Sequence, residues 1–308
     1  MEGYVANTDF EWHQFLRVRE LDEVNFWFPS GVQLLKRIRP GAPFFFKLKK
    51  PHYAIAGWGY FARSSAIPAW LAWESFREAN GAPDYDVFLS RIEKYQPLAA
   101  GVSRGDQVVG CLMISQPVFF AEVDWIRQPS DWARHNVRGE YYDLLQGEGS
   151  RIYQESLART RGGDLREVSE SLLPLDRYGS PILVRPRLGQ GTFRVAVTDA
   201  YSRSCAVTGE HSLPALEAAH IRPYSRSGSH EVTNGLLLRS DIHRLFDLGY
   251  VTVAPSHTFH VSRRLREDYS NGRSYYPLDG RAIELPRASP EHPDLRQLAW
   301  HSEEVFRG

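Results

Sequence analysis

Residues 205–253 read CAVTGEHSLPALEAAHIRPYSRSGSHEVTNGLLLRSDIHRLFDLGYVTV, and no other stretch limits the possible folds so sharply. Residues 215–221 have the makings of a strand, the run to 233 is polar and carries Gly and Ser, and 236–245 is apolar at helical spacing. The order is strand, loop, strand or turn, then helix. Of eleven histidines, eight lie after residue 180, and His211, His220, His230 and His243 fall inside this segment.

His220, then Asn234 after thirteen residues, then His243 after eight more, resembles the HNH, or ββα-metal, nuclease family. One branch of that family reads CAVTG, AAHI, NGLLL and HRLFD, all present here. The preceding helix-plus-arginine stretch and the tail LAWHSEEVFRG are similar to the same branch. The resemblance implies a phosphodiester hydrolase that uses a divalent cation.

The residue types suit that chemistry on their own terms, because the reaction needs a base to activate water and a cation to hold the scissile phosphate. His220, at a strand end and neutral near pH 7, can take the proton from water. His243, on the facing helix, can hold the metal. Asn234, with both a donor and an acceptor, suits tying the loop down and orienting the His220 ring.

The commonest form of the family has an acidic metal ligand directly before the first His, whereas this chain has Ala219. Glu217, two residues earlier on the same strand face, is the first candidate to replace it. Asp241 and Asp247 flank His243 and are the alternatives, Asp247 sharing its helical face at i+4. One His with oxygen ligands fits Mg²⁺ or Mn²⁺ better than a closed zinc cage. Many relatives also hold a structural zinc through paired CxxC motifs. Here Cys205 stands alone, so the core must close by packing, with Cys205 a small buried residue.

Plainer roles compete for several of these residues. His211 and His230 read as ordinary surface or core residues, and His257 and His260 as structural parts of the strand-like run VTVAPSHTFHV. Asp247 reads equally as a helix-end residue. Arg194, Arg203, Arg222 and Arg226 surround the motif in sequence and are candidates for phosphate contacts, although half of them would serve as well simply solvated.

At 308 residues, two folded units are expected. The reading divides the chain into 1–145, a linker or bridging helix over 146–180, and 181–308. Hydrophobic content of 42% suffices for real cores. A formal net charge of zero argues against a protein that coats nucleic acid indiscriminately, but leaves room for a local basic groove. The N-terminus lacks a signal-peptide layout and no apolar run could span a bilayer, so a cytoplasmic protein without membrane contact is expected. Two distant cysteines, Cys111 and Cys205, fit a reduced compartment.

The front half carries short aromatic strand-like runs at 26–28, 44–48, 54–61 and 108–120, with a helical pattern over 66–81 stopped by Gly81. Its run PFFFKLKKPHYAIAGWGYFARSSAIPAW is similar to EVE and related PUA-like domains, some of which flip a modified base into an aromatic cage. The resemblance implies an α+β protein: a PUA/EVE-like β-barrel with inserted helices, followed by the ββα-metal nuclease. Trp27, Trp58, Tyr60 and Trp125 are the cage candidates, since a flipped base needs flat faces to stack on. Lys47, Lys49 and Lys50 read either as a DNA path or as a solvated sheet edge.

The expected function is therefore cleavage of double-stranded DNA carrying a modified base, with cytosine the candidate. Two other readings stay open: an HNH enzyme whose front domain reads unmodified sequence or a backbone modification, and a DNA-binding module whose nuclease is degenerate at Ala219. Homodimerisation is left open.

Overall fold

The computed structural model describes residues 1–30, 35, 37–133, 135–162 and 188–308. The chain divides into two compact units, Met1–Gly189 and Gln190–Gly308.

The first unit runs β1 (Glu2–Thr8), α1 (Phe10–Arg17), β2 (Glu23–Phe28), β3 (Pro43–Leu48), β4 (Ala54–Pro68), α2 (Ala69–Phe76), α3 (Tyr85–Tyr95), β5 (Val108–Phe119), β6 (Ile126–Arg127), β7 (Gly139–Asp143) and α4 (Gly147–Gly162). The strands lie in the order β2-β5-β4-β3-β1-β7, with β6 joined to β4. β1 and β3 are parallel, and the other pairs are antiparallel.

Phe44, Phe45 and Phe46 explain the layering. A strand sends successive side chains to opposite faces, yet all three phenylalanines are fully buried, so both faces must be covered. Phe44 and Phe46 pack with Trp12 and Leu16 of α1, while Phe45 packs with Ile152 and Tyr153 of α4. Each such ring contributes roughly 1.5–3 kcal/mol on burial.

The expected closed barrel is not found. Helices bury both sides of one sheet, so the core lies above and below the strands instead of inside a ring, and β2 and β7 end the strand order. β3 is an interior strand, so Lys47 sits on no edge and is 2% exposed.

The helical pattern at 66–81 starts later than expected: Ile67 is still in β4, paired with Val109, and α2 begins at Ala69. Gly81, at φ 78°, caps the turn that follows, in a left-handed conformation that glycine adopts without strain. Of the bridging segment, α4 extends to Gly162, and 163–187 lie outside the described residues.

The second unit runs α5 (Gln190–Ala200), β8 (Leu216–His220), β9 (Gly235–Arg239), α6 (Ser240–Asp247), β10 (Val251–Val253), β11 (Phe259–Val261), α7 (Arg264–Tyr269) and α8 (Leu295–Glu304). β8 and β9 form an antiparallel hairpin in which Glu217 faces Leu238 and His220 faces Gly235. The apolar run expected to be helical from 236 is instead strand to Arg239, and the helix starts at Ser240. Leu236, Leu237 and Leu238 are all fully buried because α5 and α6 both pack on the hairpin. Cys205 is buried in the same core, which closes without a metal-binding cysteine pair.

Behind α6, His301 of α8 stacks on Phe246 at 3.6 Å, hydrogen-bonds the Phe246 carbonyl at 3.1 Å and bonds Thr252 at 2.9 Å. These contacts fix the tail to the helix that carries His243. Among the described residues, no helix is long and apolar enough to cross a membrane.

Candidate functional site

The sequence NG at 234–235 organises the second unit's site. A Cβ on Gly235 would fall 2.4 Å from Val197 and 3.0 Å from the Phe193 ring, so the missing side chain lets α5 approach the hairpin. Phe193 then lies flat against His220, ring centroids 3.8 Å apart and planes 12° from parallel. Asn234, 1% exposed, accepts from the Arg222 backbone N–H at 3.0 Å and donates to the carbonyls of Arg222 at 2.9 Å and Ser229 at 2.8 Å. Its side chain thus closes the 221–233 loop on itself. None of these hydrogen bonds reaches the His220 ring, which Phe193 and His230 hold instead.

His220 stands at the end of β8 with its Nε2 3.0 Å from His230 Nδ1. Burial, with smaller contributions from His230 and His243, pushes the ring down to about 4. It is therefore neutral at physiological pH, the state in which an imidazole can accept a proton.

Across the hairpin, His243 Nδ1 is 2.6 Å from Glu217 Oε2, and its Nε2 is 3.5 Å from Asp247 Oδ2. The two carboxylates meet opposite edges of one ring. A single ion can use Glu217 with Nδ1, or Asp247 with Nε2, but not all three as placed. Among the described residues, no group of three or more His, Cys, Asp or Glu could hold a metal. A two-ligand site nevertheless suits Mg²⁺ or Mn²⁺, because Mg²⁺ keeps several waters and its neighbouring ligands stand about 3 Å apart. Glu217 and His243 would have to part and turn their lone pairs toward a shared point to receive one.

Asp241 is engaged elsewhere. Arg239 donates to both its oxygens at 2.7 and 2.6 Å, and the Tyr275 hydroxyl donates at 3.0 Å. Arg239 chiefly holds its carboxyl below the usual carboxylate range. Ala219 is fully buried, so the position that usually carries an acid is here part of the core.

Of the arginines, Arg222 and Arg226 lie on the loop that Asn234 closes. The Arg222 guanidinium sits 5.0 Å over Trp300 and donates to the Arg226 carbonyl at 2.6 Å. Arg194 is half-buried on α5, and Arg203, just past its end, lies 3.9 Å from Asp199. His211 is exposed and 3.3 Å from the Arg203 carbonyl, away from the histidine cluster.

Residues 205–254 match a family model, HNH_2, described as HNH endonuclease. They form an HNH endonuclease domain. Within this HNH domain the matched stretch takes in β8, the loop, β9 and α6, the elements that carry His220, Asn234 and His243.

No curated protein matches the chain. Among solved structures, ASCH from Zymomonas mobilis is similar at TM-score 0.32 and 10% identity, over 49% of this chain and 94% of that one. A serine-to-alanine mutant of that protein is similar at TM-score 0.32 and 9% identity, over 49% and 94%. A structure described as modification dependent TagI restriction endonuclease is similar at TM-score 0.26 and 13% identity, over 93% of this chain and 77% of that one. Scores at this level decide neither fold nor activity.

In the first unit the four cage candidates do not converge. Trp58 and Tyr60 are 3% and 7% exposed in the core under α4, and the Trp58 Nε1–H donates to Thr160 at 2.9 Å. Trp125 donates to the Phe120 carbonyl at 3.3 Å and meets His52 edge-on at 5.2 Å. Trp27 alone of the four lines a cleft of about 1800 Å³. Lys47, Lys49, Lys50, Tyr53 and Trp132 also line it. The Lys47 ammonium lies 4.6 Å over Trp132 and 5.7 Å over Tyr53, and hydrogen-bonds Asn7 at 3.0 Å. Burial, then Lys49, lowers it to about 8.

Sequence reading missed Trp132, Tyr53 and His230. The first two stand outside the strand-like runs that carry the other aromatics. His230 lies ten residues past His220, and no spacing rule shows that the loop folds back on the His220 ring.

Proposed function

We propose that this chain is a metal-dependent DNA endonuclease directed by its first unit to DNA bearing a modified base, with modified cytosine the candidate. One observation carries the nuclease part: a neutral, clamped His220 stands at the end of β8, and the same strand contributes Glu217 to His243 on α6. His220 takes the proton from the attacking water, and the electron pair left on oxygen attacks phosphorus. Glu217 and His243 would hold Mg²⁺ or Mn²⁺, which when bound supplies positive charge against the scissile phosphate and the departing oxygen. Asn234 holds the loop between these groups in register, and Arg222 and Arg226 on that loop would meet flanking phosphates.

The cleft supports the reader role. It offers flat faces on Trp27, Tyr53 and Trp132 beside four lysines, Lys47, Lys49, Lys50 and Lys94, a combination suited to stacking a base and tracking its phosphates. The test is cleavage by the full chain of matched plasmids with unmodified, 5-methylated or 5-hydroxymethylated cytosine, each with Mg²⁺ or Mn²⁺. The proposal expects faster cutting of a modified plasmid. Equal rates on all three would leave the nuclease and remove the modified-base reading in favour of unmodified sequence.

A further inference from the structure

We infer that His230 is a positioning residue for the general base: its Nδ1 accepts the Nε2–H of His220, fixing that tautomer and leaving Nδ1 of His220 to meet the water. This rests on His220 being the base.

The two rings meet at 64° with centroids 5.1 Å apart, and His220 Nε2 and His230 Nδ1 are 3.0 Å apart. Phe193 backs His220, and Tyr224 stacks on the outer face of His230 at 4.8 Å and 5°. The row Phe193, His220, His230, Tyr224 draws on α5, β8 and the loop. Its loop end is fixed by backbone contacts. Asn234 binds the Ser229 carbonyl next to His230, and Gly228 approaches the Arg222 carbonyl so closely that a Cβ would lie 1.8 Å from it. Asn234 thus holds both the chain just past His220 and the loop segment that carries His230.

The tautomer follows from the reaction. Two neutral imidazoles at this distance share one hydrogen. Were His230 the donor, His220 Nε2 would spend its lone pair on it, Nδ1 would carry the hydrogen, and no basic nitrogen would remain for water. With His230 as acceptor, Nδ1 of His220 gains a proton as a water O–H bond breaks, the oxygen electron pair forms a bond to phosphorus, and the bond from phosphorus to the departing oxygen breaks with its electron pair left on that oxygen. The Nε2–H bond to His230 then becomes charge-assisted, about twice as strong as before, so His230 stabilises the imidazolium without receiving the proton itself.

The test is single-turnover and steady-state nicking by the full chain with Mn²⁺, on whichever of the three cytosine plasmids the wild type cuts fastest. His230→Phe keeps a ring for Tyr224 but removes the acceptor, and His230→Asn places an oxygen acceptor where Nδ1 stands. The expected result is a kcat about 10–100-fold lower in His230→Phe with KM unchanged, largely restored in His230→Asn. His230→Ala, expected to be as slow as His230→Phe, gives the same reading if the larger ring disturbs the fold. Wild-type or faster turnover in the acceptor-free variants, or His230→Asn as slow as they are, would overturn the inference. Failure of the underlying reading looks different: the wild type cuts none of the plasmids, or His220→Ala cuts as well as wild type.

Discussion

At the scale of single residues, burial fixes the charge state of the histidines, and pH exposes it. His220, His13 and His301 are each held down to about 4, chiefly by burial. Between the ordinary histidine value near 6.5 and about 4, the unfolded chain binds protons that the folded chain does not. Stability therefore rises with pH across that window and is lost as pH falls from 6.5 toward 4. The urea midpoint should be lower at pH 5 than at pH 7, and His301→Gln should flatten that dependence. An unchanged midpoint would contradict the assignment. The same depression keeps His220 basic in mildly acidic solution, so kcat/KM measured at saturating Mn²⁺, where protons do not displace the cation, should stay level down to about pH 5; a half-maximal rate near pH 6.5 under those conditions would instead point to an unburied base.

At the scale of elements, the ββα unit depends on the close approach of α5. Gly235→Ala should push Phe193 off His220, destabilising the unit by about 1–3 kcal/mol and slowing cleavage, as read by thermal melting and nicking. A variant with wild-type stability and rate would show that the approach is dispensable. Trp58→Ala belongs to the core and should cost about 3–5 kcal/mol, whereas Trp27→Ala, which loses a hydrogen bond to the Asn80 carbonyl and an edge-on contact with Phe88, should cost less and change DNA binding. Melting of the two variants separates these roles.

The sequence made parts of this legible and hid others for physical reasons. The helix-plus-arginine stretch ahead of Cys205 pointed to α5, and residues 215–221 to β8. Leu236–Leu238 misled, because a strand buried on both faces shows an unbroken apolar run that periodicity cannot tell from a helix. The PFFFKL run was legible as a strand, but its burial on both faces depends on α1 and α4, elements far from it in sequence, and the open order from β2 to β7 depends on strand pairings that no local pattern fixes. Glu217 could be picked by its place on β8, whereas the diversion of Asp241 to Arg239 and Tyr275 depends on a residue 34 positions away. The cage candidates failed to converge because the aromatic runs fill two opposite faces of one sheet, which alternation along each strand alone does not reveal.

At the scale of the whole molecule, an HNH domain follows a unit with a basic, aromatic cleft. Trp132→Ala and Trp27→Ala in that cleft should reduce the preference for modified plasmid while leaving the metal-dependent rate on a poor substrate unchanged. Loss of both activities together would place these residues in catalysis instead. The most direct measurement of the central claim is nicking of supercoiled plasmid by wild type, His220→Ala and His243→Ala with Mn²⁺ and with EDTA. Cleavage by wild type that EDTA stops, a fall of about 10²–10⁴-fold in His220→Ala with retained DNA binding, and a raised Mn²⁺ requirement in His243→Ala are expected. Undiminished cleavage in EDTA, or by His220→Ala, would contradict it.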